Sequence, residues 1–264
     1  MSELITSKNL EQVIEKNKLI KDDILRLMHD FTVRFNKSAV TVQDKLSFSV
    51  LKEHHLIQIP IDDEYWGGAI ITKGKIKIPV INTAQPRVYQ YFVAWHEIYH
   101  LFYDLSLGDD THNIAVDMDL NERKADYFAA KMIFGNVYDY YYSLDDEQFI
   151  DRVIKCMDVY KAPYKAVLIE LFEEAVTKYN DLDLKEKILE HFDNKPENLV
   201  ENFIDLELDA ELVKPSYIVS LGGLERKIQN AIKENQDISY HKDNYQFLLM
   251  LKNKIKKEVE GLVK

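Results

Sequence analysis

Cysteine is almost missing from this chain. Cys156 is the one thiol in 264 residues, so no disulfide can close within it, and a reducing compartment is the expectation. Glycine (8) and proline (6) are scarce. A sandwich or barrel would need many turns built on those residues, so their scarcity points to helices. A long basic run is also missing, and the formal net charge is −11. Direct nucleic-acid binding, which rests on neutralising phosphates with Lys and Arg, is therefore not expected. The local cluster Lys252, Lys254, Lys256 and Lys257 reads as the solvated face of a helix. No stretch approaches the roughly 20 apolar residues of a membrane span. Met1-Ser2-Glu3-Leu4 carries neither the basic nor the apolar region of a signal peptide. The expectation is a cytoplasmic protein with no membrane partner.

Apolar residues make up 46% of the chain and charged residues 30%, with 16 Tyr and 12 Phe. That balance supports a folded core and excludes a disordered chain. Residues 8–36 carry Leu10, Val13, Ile14, Ile20, Ile24, Leu25, Met28 and Phe31 at helical spacing, with a break expected near Lys18. His29 reads as a surface or core-edge residue. A second helix is expected over Gln43–His54. The pair His54-His55 does not read as a metal site, because adjacent residues on a helix point apart. Short β-branched runs follow at Leu56–Ile61, Ala69–Thr72 and Lys75–Asn82, with Lys73-Gly74 turning a hairpin. Pro79 cannot donate a ladder hydrogen bond, so its strand is expected at a sheet edge. Such an edge would be open to an extended peptide.

Beyond Gly135 the pattern is helical. Helices are expected over Gln148–Tyr160, with Cys156 as a buried small hydrophobe, and from Pro163 to about Tyr179. Asn180–Asp183 reads as a junction. Residues 184–264 offer three or four helices, punctuated by Pro196, Pro215 and Gly222-Gly223, and carry no chemical motif. His191 and His241 are isolated there. The expected fold is α+β and predominantly helical, with a small antiparallel sheet in a domain over 1–183 and a helical C-terminal extension over 184–264.

Chemistry concentrates in Trp95-His96-Glu97-Ile98-Tyr99-His100-Leu101. The surrounding run, Val88–Phe102, has no Gly or Pro and is apolar nearly all round, as in a buried helix. Positions four apart share a helix face, so His96 and His100 project together and can share a zinc ion. Glu97 between them can take a proton from water. Glu122 is the candidate third ligand, and Asp126, one turn on, can accept the free ring N–H of a ligating His, most simply His96. Two His and a carboxylate suit zinc first, although manganese and iron accept the same set. The connection Asp104–Asn121 reads as a loop; within it His112 is a candidate oxyanion donor, and Gly108–His112 lacks the ligand spacing of an EF-hand. Asn121 is the expected N-cap of the second ligand helix. Small Ala125, Ala129 and Ala130 allow close packing, and Phe128, Met132 and Phe134 read as core.

The run Phe92-Val93-Ala94-Trp95-His96-Glu97-Ile98-Tyr99-His100-Leu101, entered by Pro86-Arg87, resembles the motif helix of the ImmA/IrrE family of zinc metallopeptidases. The run Glu122-Arg123-Lys124-Ala125-Asp126-Tyr127-Phe128-Ala129-Ala130 resembles that family's second ligand helix. The resemblance covers about residues 40–180. It implies a zincin-like core, zinc on His96, His100 and Glu122, and Glu97 as general base. It also implies a protein substrate, often a helix-turn-helix repressor, in a prokaryotic or mobile-element setting. Tyr99 stands where the family often has Gly, so its bulk is expected to narrow the cleft; Asp104 lies where the family often has His. Three functions follow: a site-specific endopeptidase acting on a transcriptional regulator, a regulatory binding protein with a structural metal site, and a general peptidase.

Overall fold

The computed structural model describes residues 4–35, 43–104, 119–145 and 147–262. The fold is mostly helical, with one four-stranded sheet. Helix α1 (Leu10–Phe35) is a single element. The break expected near Lys18 does not occur, because Asn17 continues the buried stripe between Ile14 and Ile20 where an apolar residue would stand. Helix α2 (Gln43–Glu53) follows, and His55 takes a left-handed φ of 66° that ends it.

Strands β1 (Ile57–Ile59), β2 (Gly68–Lys73) and β3 (Ile76–Asn82) fall on the three expected runs, and the hairpin turn centres on Gly74 and Lys75, one residue later than expected, with Gly74 at φ 60°. The fourth strand, β4 (Ser220–Leu221), comes from far along the chain. The order is β2-β3-β1-β4, with β1 parallel to β3 and the other pairs antiparallel. The expected antiparallel sheet is thus mixed, and Pro79 is not on an edge. Asn82 donates its N–H to Gly67 on the β2 side, and Thr83 donates to Ile59 on the β1 side. By alternation, the Pro79 nitrogen faces β1, whose pairing starts one place on, at Val80. Proline is tolerated there because no ladder bond is asked of it. Among the described residues the outer strands of the sheet are β2 and β4.

The motif helix α3 (Arg87–Phe102) lies against this sheet and against α4 (Leu120–Ile133). Asp119, not Asn121, caps α4: its side chain accepts the Asn121 N–H at 2.8 Å. Phe31 of α1 meets Trp95 of α3 and Phe128 of α4 edge-on, at 5.4 and 6.1 Å between ring centres, which seats the motif helix in the core. Met132 and Phe134 are buried as expected, as are Ala125 and Ala129, while Ala130 is half-buried. Tyr99 is buried against Phe128 and Tyr103. Its bulk is spent in the core rather than in a cleft.

Helices α5 (Val137–Ser143), α6 (Phe149–Tyr160) and α7 (Tyr164–Glu174) follow, and a π-helical turn over Ala175–Tyr179 extends α7. Helices α8 (Leu182–His191) and α9 (Leu199–Asp205) lead to a 3-10 turn at Ala210–Val213. Leu184, Ile188, Phe192, Phe203, Leu212 and Val213 belong to the same core cluster as Trp95 and Phe128. Buried residues on both sides of the boundary expected at 183/184 thus fall in one cluster. The segment after α9 straps the start of α3: Arg87 Nη1 donates to the carbonyls of Glu211 (2.8 Å) and Lys214 (3.2 Å), and Ser216 Oγ donates to Gln90 Oε1 (2.8 Å). Past Gly222 and Gly223, both at positive φ, α10 (Leu224–Glu234) and α11 (Tyr240–Leu262) pair as a hairpin. No residue of α10 is buried, and Phe247 and Met250 of α11 stand exposed.

Candidate metal centre

His96 and His100 sit one turn apart on α3, as their spacing requires. The fold adds Glu122 from the first turn of α4. His96 Nε2 and His100 Nε2 lie 3.1 Å apart. Glu122 Oε2 is 3.2 Å from His96 Nε2, and Glu122 Oε1 is 3.6 Å from His100 Nε2. A tetrahedral zinc ion with bonds near 2.0–2.1 Å separates its ligands by about 3.3 Å. The His96–His100 separation and the distance from each histidine to its nearer Glu122 oxygen lie close to that length, with Oε2 towards His96 and Oε1 towards His100. Among the described residues this is the one cluster of three or more His, Cys, Asp or Glu side chains that fits a metal ion.

Each imidazole is held from behind. His96 Nδ1 contacts Asp126 Oδ1 at 2.8 Å, and His100 Nδ1 contacts Asp104 Oδ2 at 2.8 Å. An ionised carboxylate only accepts, so Nδ1 carries the hydrogen in both rings and each Nε2 is left as a donor of electrons. The Asp126–His96 pairing is the one expected from the sequence. Asp104 was missed as an orienting residue, although the signal was present: it follows His100 by four positions and so falls on the same face.

The charges are strongly coupled. Burial alone would depress the His96 imidazolium, but hydrogen bonds to Asp126 and Glu122 outweigh it and hold His96 well above its usual value. Burial would raise the Glu122 carboxyl, but hydrogen bonds to His100 and His96 hold it well below the carboxylate range. The centre thus favours positive charge, which a divalent cation supplies in place of a proton.

Glu97 has only 3% of its surface exposed. Burial pushes its carboxyl up to about 7, against the pull of His96 and His100. Its Oε2 is buried with no hydrogen-bond partner among the described residues. An unsatisfied buried carboxylate oxygen is costly, and proteins keep few of them outside functional sites. Gly68 of β2 makes room for this side chain. A methyl group at Gly68 would fall 2.7 Å from Val93 Cγ1, 2.8 Å from the Val80 carbonyl and 3.0 Å from Glu97 Oε1. Edge strand β2 therefore runs directly beside Glu97.

Other expected candidates fall elsewhere. His54 stacks edge-on against Phe102, and His55 Nε2 lies 3.1 Å from Lys227 Nζ, so neither joins a metal cluster. His29 is exposed, and His191 and His241 are far along the chain in α8 and α11. His112 and the segment Gly108–His112 lie outside the described residues. Cys156 is fully buried, and burial pushes its thiol up to about 12.

The chain matches no family model, no curated protein and no solved structure. The geometry above and the two motif stretches are what bear on its function. No helix among the described residues is long and apolar enough to cross a membrane.

Proposed function

We propose that this protein is a zinc-dependent endopeptidase, with His96, His100 and Glu122 as metal ligands and Glu97 as general base. The observation that carries the reading is the buried Glu97 carboxylate. It sits between the two histidines with one oxygen unpaired and a carboxyl raised to about 7. A purely structural zinc site needs no such base, whereas hydrolysis needs one poised near neutral pH. Bound at the centre, zinc supplies Lewis acidity, polarising a carbonyl and activating water at neutral pH. Glu97 takes the proton from the attacking water at Oε2 and delivers it to the leaving amine. Asp126 and Asp104 keep the two rings in the productive tautomer and orientation.

Strand β2, an outer strand among the described residues, supports a place for the substrate. Because Asn82 donates to Gly67, residues 68 and 70 turn their backbone N–H and C=O groups away from β3. An extended peptide adds there as a further strand, its scissile bond beside Glu97. The peptide-binding edge expected at β3 is thus reassigned to β2. The zincin-like core and the substrate class, a helix-turn-helix regulator, come from the resemblance of residues 86–101 and 122–130 to the ImmA/IrrE family.

The test compares new protein N-termini in host cells expressing the wild-type chain or Glu97→Gln at matched levels. One or a few termini in a DNA-binding regulator, lost in the variant, support the proposal. Many unrelated termini indicate a general peptidase. No difference, with both forms capturing the same partner, overturns it in favour of a binding protein.

A further inference from the structure

Behind Asp126 runs a line of buried polar side chains that the proposed reaction does not use. Asp126 gives Oδ1 to His96 and Oδ2 to Arg123 Nη1, at 2.9 Å. Arg123 Nη2 donates to Asn17 Oδ1 at 3.3 Å. Asn17 Nδ2 donates to Glu173 Oε2 at 3.1 Å, and Glu173 Oε1 accepts from Tyr127 at 2.7 Å. The line joins α4, α1 and α7 and ends at Glu173, which also pairs with Lys131 at 3.5 Å.

Packing does not explain these residues. Arg123 is 2% exposed and Asn17 is 1% exposed. Asn17 is the one polar residue on the buried face of α1. Burying a guanidinium is costly before pairing, and well-packed apolar residues of the same volume often serve stability as well or better. Even here the Arg123 Nε is left without a partner among the described residues. What the line does achieve is directional. With one oxygen on His96 and the other on Arg123, the Asp126 carboxylate cannot turn, and Asn17 stops the guanidinium from swinging away.

Resting on the metal-site reading above, we propose that Arg123, braced by Asn17 and Glu173, is a positioning residue of the metal centre. It fixes Asp126 and through it the His96 ring, so α1 and α7 set how tightly the centre holds its metal. Arg123 acts through Asp126, and Asn17 acts through Arg123.

The 264-residue chain is titrated with zinc against a competing chelator, and with cobalt by visible absorption, well below the melting temperature. The variants are Arg123→Met, Arg123→Lys and Asn17→Leu, which keeps the branched shape and the number of heavy atoms. Outer partners of metal ligands typically contribute about 10–100-fold in affinity. Arg123→Met is expected to raise the zinc Kd about tenfold or more, with weaker or shifted cobalt bands. Arg123→Lys, which keeps the charge and loses the two-pronged donor, should fall between Met and wild type. Asn17→Leu should raise Kd about threefold, its effect passing through one further hydrogen bond. A merely structural role would move the metal-free melting temperature and leave Kd and the cobalt spectrum unchanged, and that result overturns the inference. If Arg123→Met does not fold, unchanged affinity in Arg123→Lys and Asn17→Leu overturns it equally. The peptidase reading fails separately: a zinc-binding wild type that generates no new termini removes the reaction, while the affinity series still decides the role of Arg123. A wild type that binds neither metal overturns both.

Discussion

Asp104 and Asp126 perform the same task from different origins. Asp126 reaches His96 from a second helix, and Asp104 reaches His100 from the end of the same one. Each holds the ring of a candidate ligand, and in the proposed centre it would raise the basicity of that ring's Nε2. Asp104→Asn keeps the shape and loses the charge, so it is expected to weaken zinc binding by about 10–100-fold, measured by chelator competition. An unchanged Kd would remove Asp104 from the centre. Cys156 shows the opposite use of burial. Its thiol, pushed up to about 12, stays protonated at ordinary pH, and the thiolate is the reactive form. An aromatic disulfide reagent at pH 8 should leave Cys156 unmodified in the native protein and label it fully on denaturation. Rapid labelling of the folded chain would contradict the buried placement.

Among the elements, the joint between α7 and α8 is built on one carboxylate. Asn180 takes a left-handed φ of 51° to end the π turn, and Asp181 then caps α8 by accepting the Leu184 N–H at 3.0 Å. The same side chain accepts from Tyr138 at 2.9 Å and from Tyr142. Burial acts to raise the Asp181 carboxyl, but hydrogen bonds from Tyr142, the Leu184 N–H and Tyr138 outweigh it and hold it below its usual value. A carboxyl depressed by folding stabilises the native state above its unfolded pKa, about 3.9, and that contribution fades as pH falls through the folded value. Asp181→Asn should therefore destabilise the protein at pH 7 and flatten the loss of stability below about pH 4, read by urea unfolding across pH. Parallel wild-type and variant curves down to the acid limit would exclude this role.

In the molecule as a whole, the C-terminal part divides differently from the sequence pattern. Residues 184–221 bury Phe192, Phe203 and Leu212 in the shared core, add β4 to the sheet and strap Arg87 at the start of the motif helix. Removing several fully buried large side chains costs about 2–5 kcal/mol each, which together exceeds the stability of an ordinary domain. A chain ending at residue 183 is therefore expected to be unfolded by circular dichroism and to bind no zinc. A cooperatively melting, zinc-binding 1–183 fragment would show instead that the expected boundary is real. The α10–α11 hairpin differs in kind, since its first helix buries nothing and its second exposes Phe247 and Met250.

The sequence by itself determined what lies within one turn or one hairpin. His96, Glu97 and His100 follow from four-residue spacing, Glu122 and Asp126 from the same rule on α4, and β2–β3 from a Gly-centred turn. Local backbone geometry sets these relations, so residue order encodes them directly. Asp104 is encoded in the same way, four places after His100, but it follows the apolar run Leu101-Phe102-Tyr103, which hides it as a polar partner. Asp119 took the cap from Asn121 by two places, a shift of the kind that helix ends commonly show. What only the tertiary structure decided involves partners far apart in the chain. Periodicity says that a face is buried, not which element covers it. It could not place Glu122 against both histidines, seat β1 parallel to β3, bring Ser220 and Leu221 into the sheet, or show that Asn17 meets Arg123. It also could not reveal that Pro79 sits inside the sheet, because the cost of its missing N–H depends on where the neighbouring strand begins. The candidate ligands are written four apart, and bringing them together depended on packing α3 and α4 over Phe31 of α1, far away in the chain.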